Sequence, residues 1–165
     1  MLVIVPVEQI PKTAQYCPVD NLIKLYGTCL EMEMVCHKNQ GVGLSAVQVG
    51  IPWRLYIVKH DNKCRYFVNC DYSGEGEKID SVEGCLSLRK EDGSLRFFKV
   101  KRFEKVKIAG KELILEKNLS LKDIDFEAEG MEAIVHQHEI EHAGHDGKGP
   151  TLISDIGVEY EVWRA

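Results

Sequence analysis

His138-Glu139-Ile140-Glu141-His142 sets two histidines four residues apart in a stretch with helical spacing. On a helix the two rings stand on one face, one turn above the other, so both imidazoles reach a single metal ion. Glu139, next to the first of them, is placed to take a proton from a water that the ion activates. The chemistry this predicts is metal-assisted hydrolysis. The bland alternative is a partly buried helix with two satisfied histidines. Two imidazoles do not complete a site, and the third ligand has to decide which bond is cut.

Three third ligands are conceivable. His145 is nearest in sequence, but on a continuous helix it lies about 10 Å along the axis from His138, too far to share one ion. Gly144 could break the helix there, yet the metzincin pattern needs its glycine where His145 stands and a further histidine where Lys148 stands. A downstream glutamate of the thermolysin-like kind would have to be Glu159 or Glu161, with no second helix evident to carry it. The remaining candidate is Cys85, in Glu83-Gly84-Cys85-Leu86-Ser87. A thiolate with two imidazoles makes a sound open site for Zn²⁺ or Fe²⁺, with a position left for water.

These residues need a scaffold, and the chain has the means for one. Its 165 residues suit a single domain, with 44% hydrophobic and 28% charged residues, as in ordinary globular proteins. A net charge of −5 argues against a nucleic-acid surface. The basic stretch Lys99–Lys107 reads as a solvated strand face. No apolar run is long enough to span a membrane, and Met1–Ile10 lacks the basic start and cleavage site of a signal peptide. The six cysteines form no C-x-x-C pair and are expected to be free thiols in a reducing cytoplasm.

Residues 20–37 predict an amphipathic helix, capped by Asp20, with Leu22, Leu25, Tyr26, Cys29, Glu33 and Cys36 along one stripe. Trp53–Lys59 and Cys64–Asn69 predict strands around a polar turn, Ser73–Lys78 a loop. Phe97–Val100, Glu104–Ala109 and Glu112–Glu116 have strand character, with Ala109-Gly110-Lys111 as a hairpin turn, and Leu119–Phe126 adds another strand. From Glu129 the spacing turns helical, with Met131, Ile134, Val135, His138, Glu141 and His142 on one face. The end, Asp155–Ala165, reads as a short acidic tail. The fold class predicted is α+β, with antiparallel β-sheets around a central helix that carries the H-E-x-x-H segment.

Three short segments in order carry a family resemblance. They are Gly41-Val42-Gly43-Leu44-Ser45-Ala46-Val47-Gln48, then Glu83-Gly84-Cys85-Leu86-Ser87, then Gln137 followed by His138 to His142. Together they resemble the peptide deformylases, whose motifs are G-x-G-x-A-A-x-Q, E-G-C-L-S and Q-H-E-x-D-H. The resemblance runs from about residue 20 to residue 147 and makes residues 1–165 one catalytic domain of that type. It implies removal of the N-formyl group from the N-terminal methionine of newly made proteins, with release of formate. It also implies that Cys85, His138 and His142 hold the metal and that Glu139 moves the proton. Gln48 and the Leu86 N–H would meet the oxyanion. Val42, Gly43 and Leu44 would pair with the substrate peptide, and Val42, Met131, Ile134 and Val135 would form the pocket for the methionine side chain. Glu83 and Arg102 would brace the cysteine loop as a buried pair. The resemblance implies one divalent ion, Fe²⁺ first and Zn²⁺, Ni²⁺ or Co²⁺ as replacements, and oxygen sensitivity when iron sits beside the thiolate.

The chain departs from the family at Ser45, at Glu141 in place of aspartate, at Ala143 and His145 after the second histidine, and at Cys70 in place of proline. The short acidic end resembles deformylases known from phages and implies at most transient ribosome association. The partners expected are N-formylmethionyl nascent peptides, with no nucleic acid and no membrane. The protein is expected to be a monomer in the cytoplasm, the host's if phage-encoded. The rival readings are a small H-E-x-x-H metallopeptidase and a catalytically silent deformylase-like binding protein.

Overall fold

In the first helix, α1 (Leu22–Lys38), Leu25, Cys29, Met32, Val35 and Cys36 are buried, close to the predicted stripe. Its cap is Asn21, not Asp20: the backbone is extended at Asn21, and the Asn21 side chain accepts the Lys24 N–H at 3.0 Å. The computed structural model from which these elements are taken describes residues 1–161. After α1 come a short strand β1 (Gly43–Ser45), a 3-10 turn (Ala46–Val49) and β2 (Leu55–His60). Two long strands follow, β3 (Lys63–Arg89) and β4 (Leu95–Leu115), then β5 (Leu119–Glu129). The chain continues into α2 (Met131–Ala143), one helical turn α3 (Ile153–Ile156) and a last strand β6 (Val158–Tyr160).

Every strand pairing is antiparallel, in the order β1-β2-β3-β4-β5 with β6 added to β4. The strands form one continuous sheet, and α2 touches β1, β2, β3, β4 and β5. The α+β class and the central helix are as expected. The breaks expected inside the sheet are absent. Ser73, Gly74 and Glu75 pair with Lys107, Val106 and Lys105, so the predicted loop lies within β3. The register slips between Glu75 and Lys78, a bulge that takes up Gly76 at φ 78°. Gly110 lies inside β4, opposite Ile124 of β5. A Cβ on Gly110 would sit 2.6 Å from Cys70, so this glycine permits a close backbone approach rather than a turn. Of the tail expected over Asp155–Ala165, residues 162–165 lie outside the described residues, and the part before them is structured, with Asp155 and Ile156 in α3 and Val158–Tyr160 in β6. Leu152 and Ile153 pack with Cys85, Leu88, Phe98 and Val100, and β6 pairs with Phe97–Lys99.

α2 differs from a one-sided amphipathic helix. Met131 is 73% exposed, whereas Ala133, His136, Gln137, Glu139, Ile140, His142 and Ala143 are buried. Strands on several sides of α2 account for this. Two of its buried polar side chains away from the histidine pair find partners: Gln137 accepts from the Phe103 N–H at 2.9 Å and donates to the Phe103 carbonyl at 2.8 Å, bonding α2 to β4. His136 meets the Tyr56 hydroxyl at 2.7 Å, edge-on to Phe67.

Burial, helped by the charge of Arg65, holds the His136 imidazole down at about 4, against an ordinary value of 6.5. The unfolded chain therefore takes up this proton first as pH falls. Stability is complete above the unfolded value and declines between 6.5 and about 4. Urea unfolding is expected to show a loss of about 2 kcal/mol from this group between pH 6.5 and pH 5. A His136→Gln variant should lack that part of the slope.

Candidate metal centre

Four elements converge on one point. α2 brings His138, Glu139 and His142, the late part of β3 brings Cys85, the 3-10 turn brings Gln48, and β1 brings Gly43. The donor atoms of Cys85, His138 and His142 lie within 4.8 Å of one another, with the Cys85 Sγ 3.6 Å from the His142 Nε2. No other such cluster occurs among the described residues. One sulfur and two imidazole nitrogens at this spacing are a donor set for Zn²⁺ or Fe²⁺ with an open position. Glu83 and Glu139 flank the cluster, both buried, which favours a cation there. The Glu139 Oε2 is buried without a hydrogen-bond partner, an acceptor waiting for a donor.

A buried ion-pair network supports the ligands. The His138 Nδ1 meets the Glu83 Oε1 at 2.7 Å, leaving the other ring nitrogen for the Cys85 side. Arg102, 1% exposed, grips Glu83 through its Nε at 2.9 Å and a terminal nitrogen at 2.8 Å. Glu83 and Arg102 thus form a buried pair, and the network extends further. The other terminal nitrogen of Arg102 donates to the Glu141 Oε2 at 2.6 Å, and the Tyr72 hydroxyl donates to the same oxygen at 2.9 Å. The longer side chain of Glu141 is thus engaged on both sides. Such partners fix the orientation of a metal-binding imidazole and raise its basicity.

The charges follow from this arrangement. Burial works to raise Glu83, but Arg102 and His138 bring it down to about 2. Burial works to lower His138, but Cys85 and Glu83 raise it to about 10. Burial keeps His142 well below its ordinary value and pushes the Glu139 carboxyl up to about 7. The site thus holds a cation-seeking donor set whose atoms lie within 4.8 Å of one another and, adjacent to His138 in the chain, a carboxyl poised near neutrality.

Gln48 is 1% exposed, and its amide nitrogen points at the Cys85 Sγ (3.4 Å) and the Ser87 Oγ (3.0 Å). Its carbonyl accepts from the Ser45 N–H at 2.9 Å, which fixes the amide the right way round to donate into the site. Leu86 lines the same cavity, where the register between β3 and β4 slips after Gly84. The two motif glycines have steric causes. A Cβ on Gly43 would lie 3.0 Å from the Glu139 Oε1, and one on Gly41 would lie 2.7 Å from the Leu86 side chain.

A cavity of about 310 Å³ opens beside the cluster. Ile134 and Val135 line its wall, while Val42 and Met131, 63% and 73% exposed, stand at its rim. Val82, Leu95 and Phe97 complete the apolar surface, residues that sequence reasoning missed. Leu44 is a correction: it is 0% exposed and packs in the core with Leu55 and Ile57. The Lys59 N–H bonds the Val42 carbonyl at 2.8 Å. Alternation along an antiparallel ladder then turns the Leu44 backbone toward β2 and leaves the N–H and C=O of Gly43 on the open edge. Among the described residues β1 has no strand on that edge.

The rejected ligands lie elsewhere. α2 ends at Gly144 (φ 106°), and His145 turns away to stack on Tyr72, rings 3.8 Å apart, with its Nδ1 on Asp71. Glu159 pairs with Arg96 on the surface. Neither these two nor Glu161 joins the histidines in a donor cluster, so none supplies the third ligand that a peptidase reading requires. Ser87, Gln137 and Tyr72 carry hydrogen bonds that no spacing announces; Ser87 and Gln137 could have been noticed only as members of their motifs.

The sequence matches the polypeptide deformylase family over residues 2–148. A peptide deformylase of Helicobacter pylori (strain G27) is 32% identical over 127 residues, 72% of this chain and 67% of that protein. One from Desulfosudis oleivorans is 33% identical over 132 residues, 76% of this chain and 70% of that protein. The crystal structure of the peptide deformylase from Thermotoga maritima matches with a TM-score of 0.74 at 25% identity, covering 94% of this chain and 97% of that one.

Proposed function

Because this chain belongs to the polypeptide deformylase family, hydrolases that remove the N-formyl group from nascent peptides, we propose that Cys85, His138 and His142 hold its single metal ion and that Glu139 is its proton carrier. The observation that carries this reading is the meeting of the Cys-His-His donor set, the partnerless carboxylate oxygen and the Gln48 amide at the mouth of one apolar cavity. When bound, the cation acts as a Lewis acid that makes water nucleophilic near neutral pH and polarises the formyl oxygen.

The chain's own residues do the rest. Glu139, held near 7 by burial, accepts the proton of the attacking water and hands it to the departing amine. The Gln48 amide and the Leu86 N–H donate to the oxyanion that forms as water adds to the formyl carbon. The open edge of β1, through Gly43, pairs with the substrate backbone. Val42, Met131, Ile134 and Val135 surround the methionine side chain. Glu83 and Arg102 keep His138 in orientation. Every group named comes from one chain, so residues 1–165 act as one catalytic domain and one copy suffices for turnover.

Fe²⁺ is the metal we assign, with Zn²⁺, Ni²⁺ and Co²⁺ as replacements, since a thiolate with two imidazoles accepts all four. Among the described residues no helix is long and apolar enough to cross a membrane. We place the enzyme in the cytoplasm, where formylated nascent chains emerge, with transient ribosome contact and no nucleic-acid surface.

Gln48→Ala tests the oxyanion role. Its kcat should fall by about 10²–10³ while metal content stays at one ion per chain. An unchanged kcat would leave Gln48 a loop-closing residue.

A further inference from the structure

The outer face of α1 is apolar where a surface helix is ordinarily polar. Its inner face is already satisfied by Leu25, Cys29, Met32 and Cys36. On the opposite side Ile23, Leu30 and Met34 are 79%, 38% and 67% exposed. With Gly27 they recur at intervals of four, three and four residues, a second seam of the kind that packs helix against helix. Gly27 itself has no explanation within the chain. It stands in mid-helix, where glycine weakens the helix relative to alanine, and a Cβ there would meet nothing within 4 Å. A close helix–helix approach supplies the missing reason.

We propose that this face binds a second copy of this chain, with the two α1 helices antiparallel about a two-fold axis. Across such an axis Ile23 faces the partner's Met34, and Leu30 enters the notch left by the partner's Gly27. Both contacts occur twice, as an isologous interface requires. The charges choose the same arrangement. Lys24 and Glu31 flank the seam on one side, and neither is in an ion pair among the described residues. Antiparallel packing brings each Lys24 to the partner's Glu31. Parallel packing would set the two copies of this flank on opposite sides of the seam, so that Lys24 would not meet the partner's Glu31.

The seam is about three turns, some 16 Å long. It falls short of the roughly 1,200 Å² that stable complexes bury, so the association is weak and concentration-dependent. The cavity is not lined by Ile23, Gly27, Leu30 or Met34, so pairing leaves turnover unaffected. The expected monomer would then be the state at low concentration, with pairing at high concentration.

Sedimentation velocity on the full-length, metal-loaded protein, from low micromolar to several hundred micromolar, tests this. The wild type should pass from monomer toward dimer, and Leu30→Glu should weaken pairing at least about tenfold. Lys24→Glu and Glu31→Lys should each weaken it, and the double exchange should restore it. Gly27→Ala should raise the melting temperature while weakening pairing, because the methyl group fills the notch. Formate release at low concentration should be unchanged in all of them. A monomer at every concentration, or a dimer indifferent to Leu30→Glu, overturns the proposal. A double exchange that fails to restore pairing overturns the antiparallel arrangement.

Discussion

Glu139→Ala is expected to keep its metal and lose formate release by about 10³–10⁴-fold, the range in which a positioned acid–base group contributes. The carboxylate is not one of the three donors, so the ion should remain at one per chain. What the variant lacks is the side chain we propose as proton carrier: its Oε2 is buried and unpartnered, and Gly43 is kept free of a side chain beside it. The loss should fall on kcat more than on KM, because the group acts as bonds change rather than as substrate docks. A Glu139→Gln variant preserves the volume and should lose nearly as much. Inductively coupled plasma analysis beside steady-state formate release separates lost chemistry from lost metal.

Cys85→Ala should fail in the opposite order. Removing the only sulfur donor leaves two imidazoles, one of which is biased toward protonation by Glu83. Metal content after dialysis should fall well below one per chain, and activity should fall with it. Cys85 also packs with Leu88, Phe98 and Ile153, so alanine leaves a small gap behind β3. A circular-dichroism melt should therefore accompany the assay. A folded, metal-poor, inactive Cys85→Ala supports the ligand assignment. Cys85→Ser, with a hydroxyl in place of sulfur, should bind the ion weakly and recover activity only at high added metal.

The cluster of Cys85, His138 and His142 could be read from the sequence because metal chemistry admits few residue types. A helix repeat brings His138 and His142 together without knowledge of the fold, whereas Cys85 needed the motif around it, being 53 residues before His138 in the chain. Glu83 with Arg102 could be expected as a pair, but the continuation to Glu141 and Tyr72 could not. It depends on β3 and β4 running side by side past α2, and both strands were expected to be broken. The polar run Ser73–Lys78 and the Ala109-Gly110-Lys111 turn signal look like loops because sequence shows composition, while the actual cause is a bulge and a close approach of two strands. Leu44 was misplaced for a related reason. Which residues of β1 face the core or offer their backbone to the open edge is decided by register against β2, and no local pattern in three residues contains it.

The central claim is that one ion on Cys85, His138 and His142, with Glu139 beside it, hydrolyses the formyl amide. Anaerobic titration of metal-free protein with Fe²⁺ tests it most directly, with formate release from formyl-Met-Ala-Ser followed at each addition. Activity should rise in proportion to bound iron and stop rising at one ion per chain, with Cys85→Ala failing to bind and Glu139→Ala binding without turnover. Full iron occupancy with no formate released by the wild type, or undiminished activity in Cys85→Ala, would contradict it.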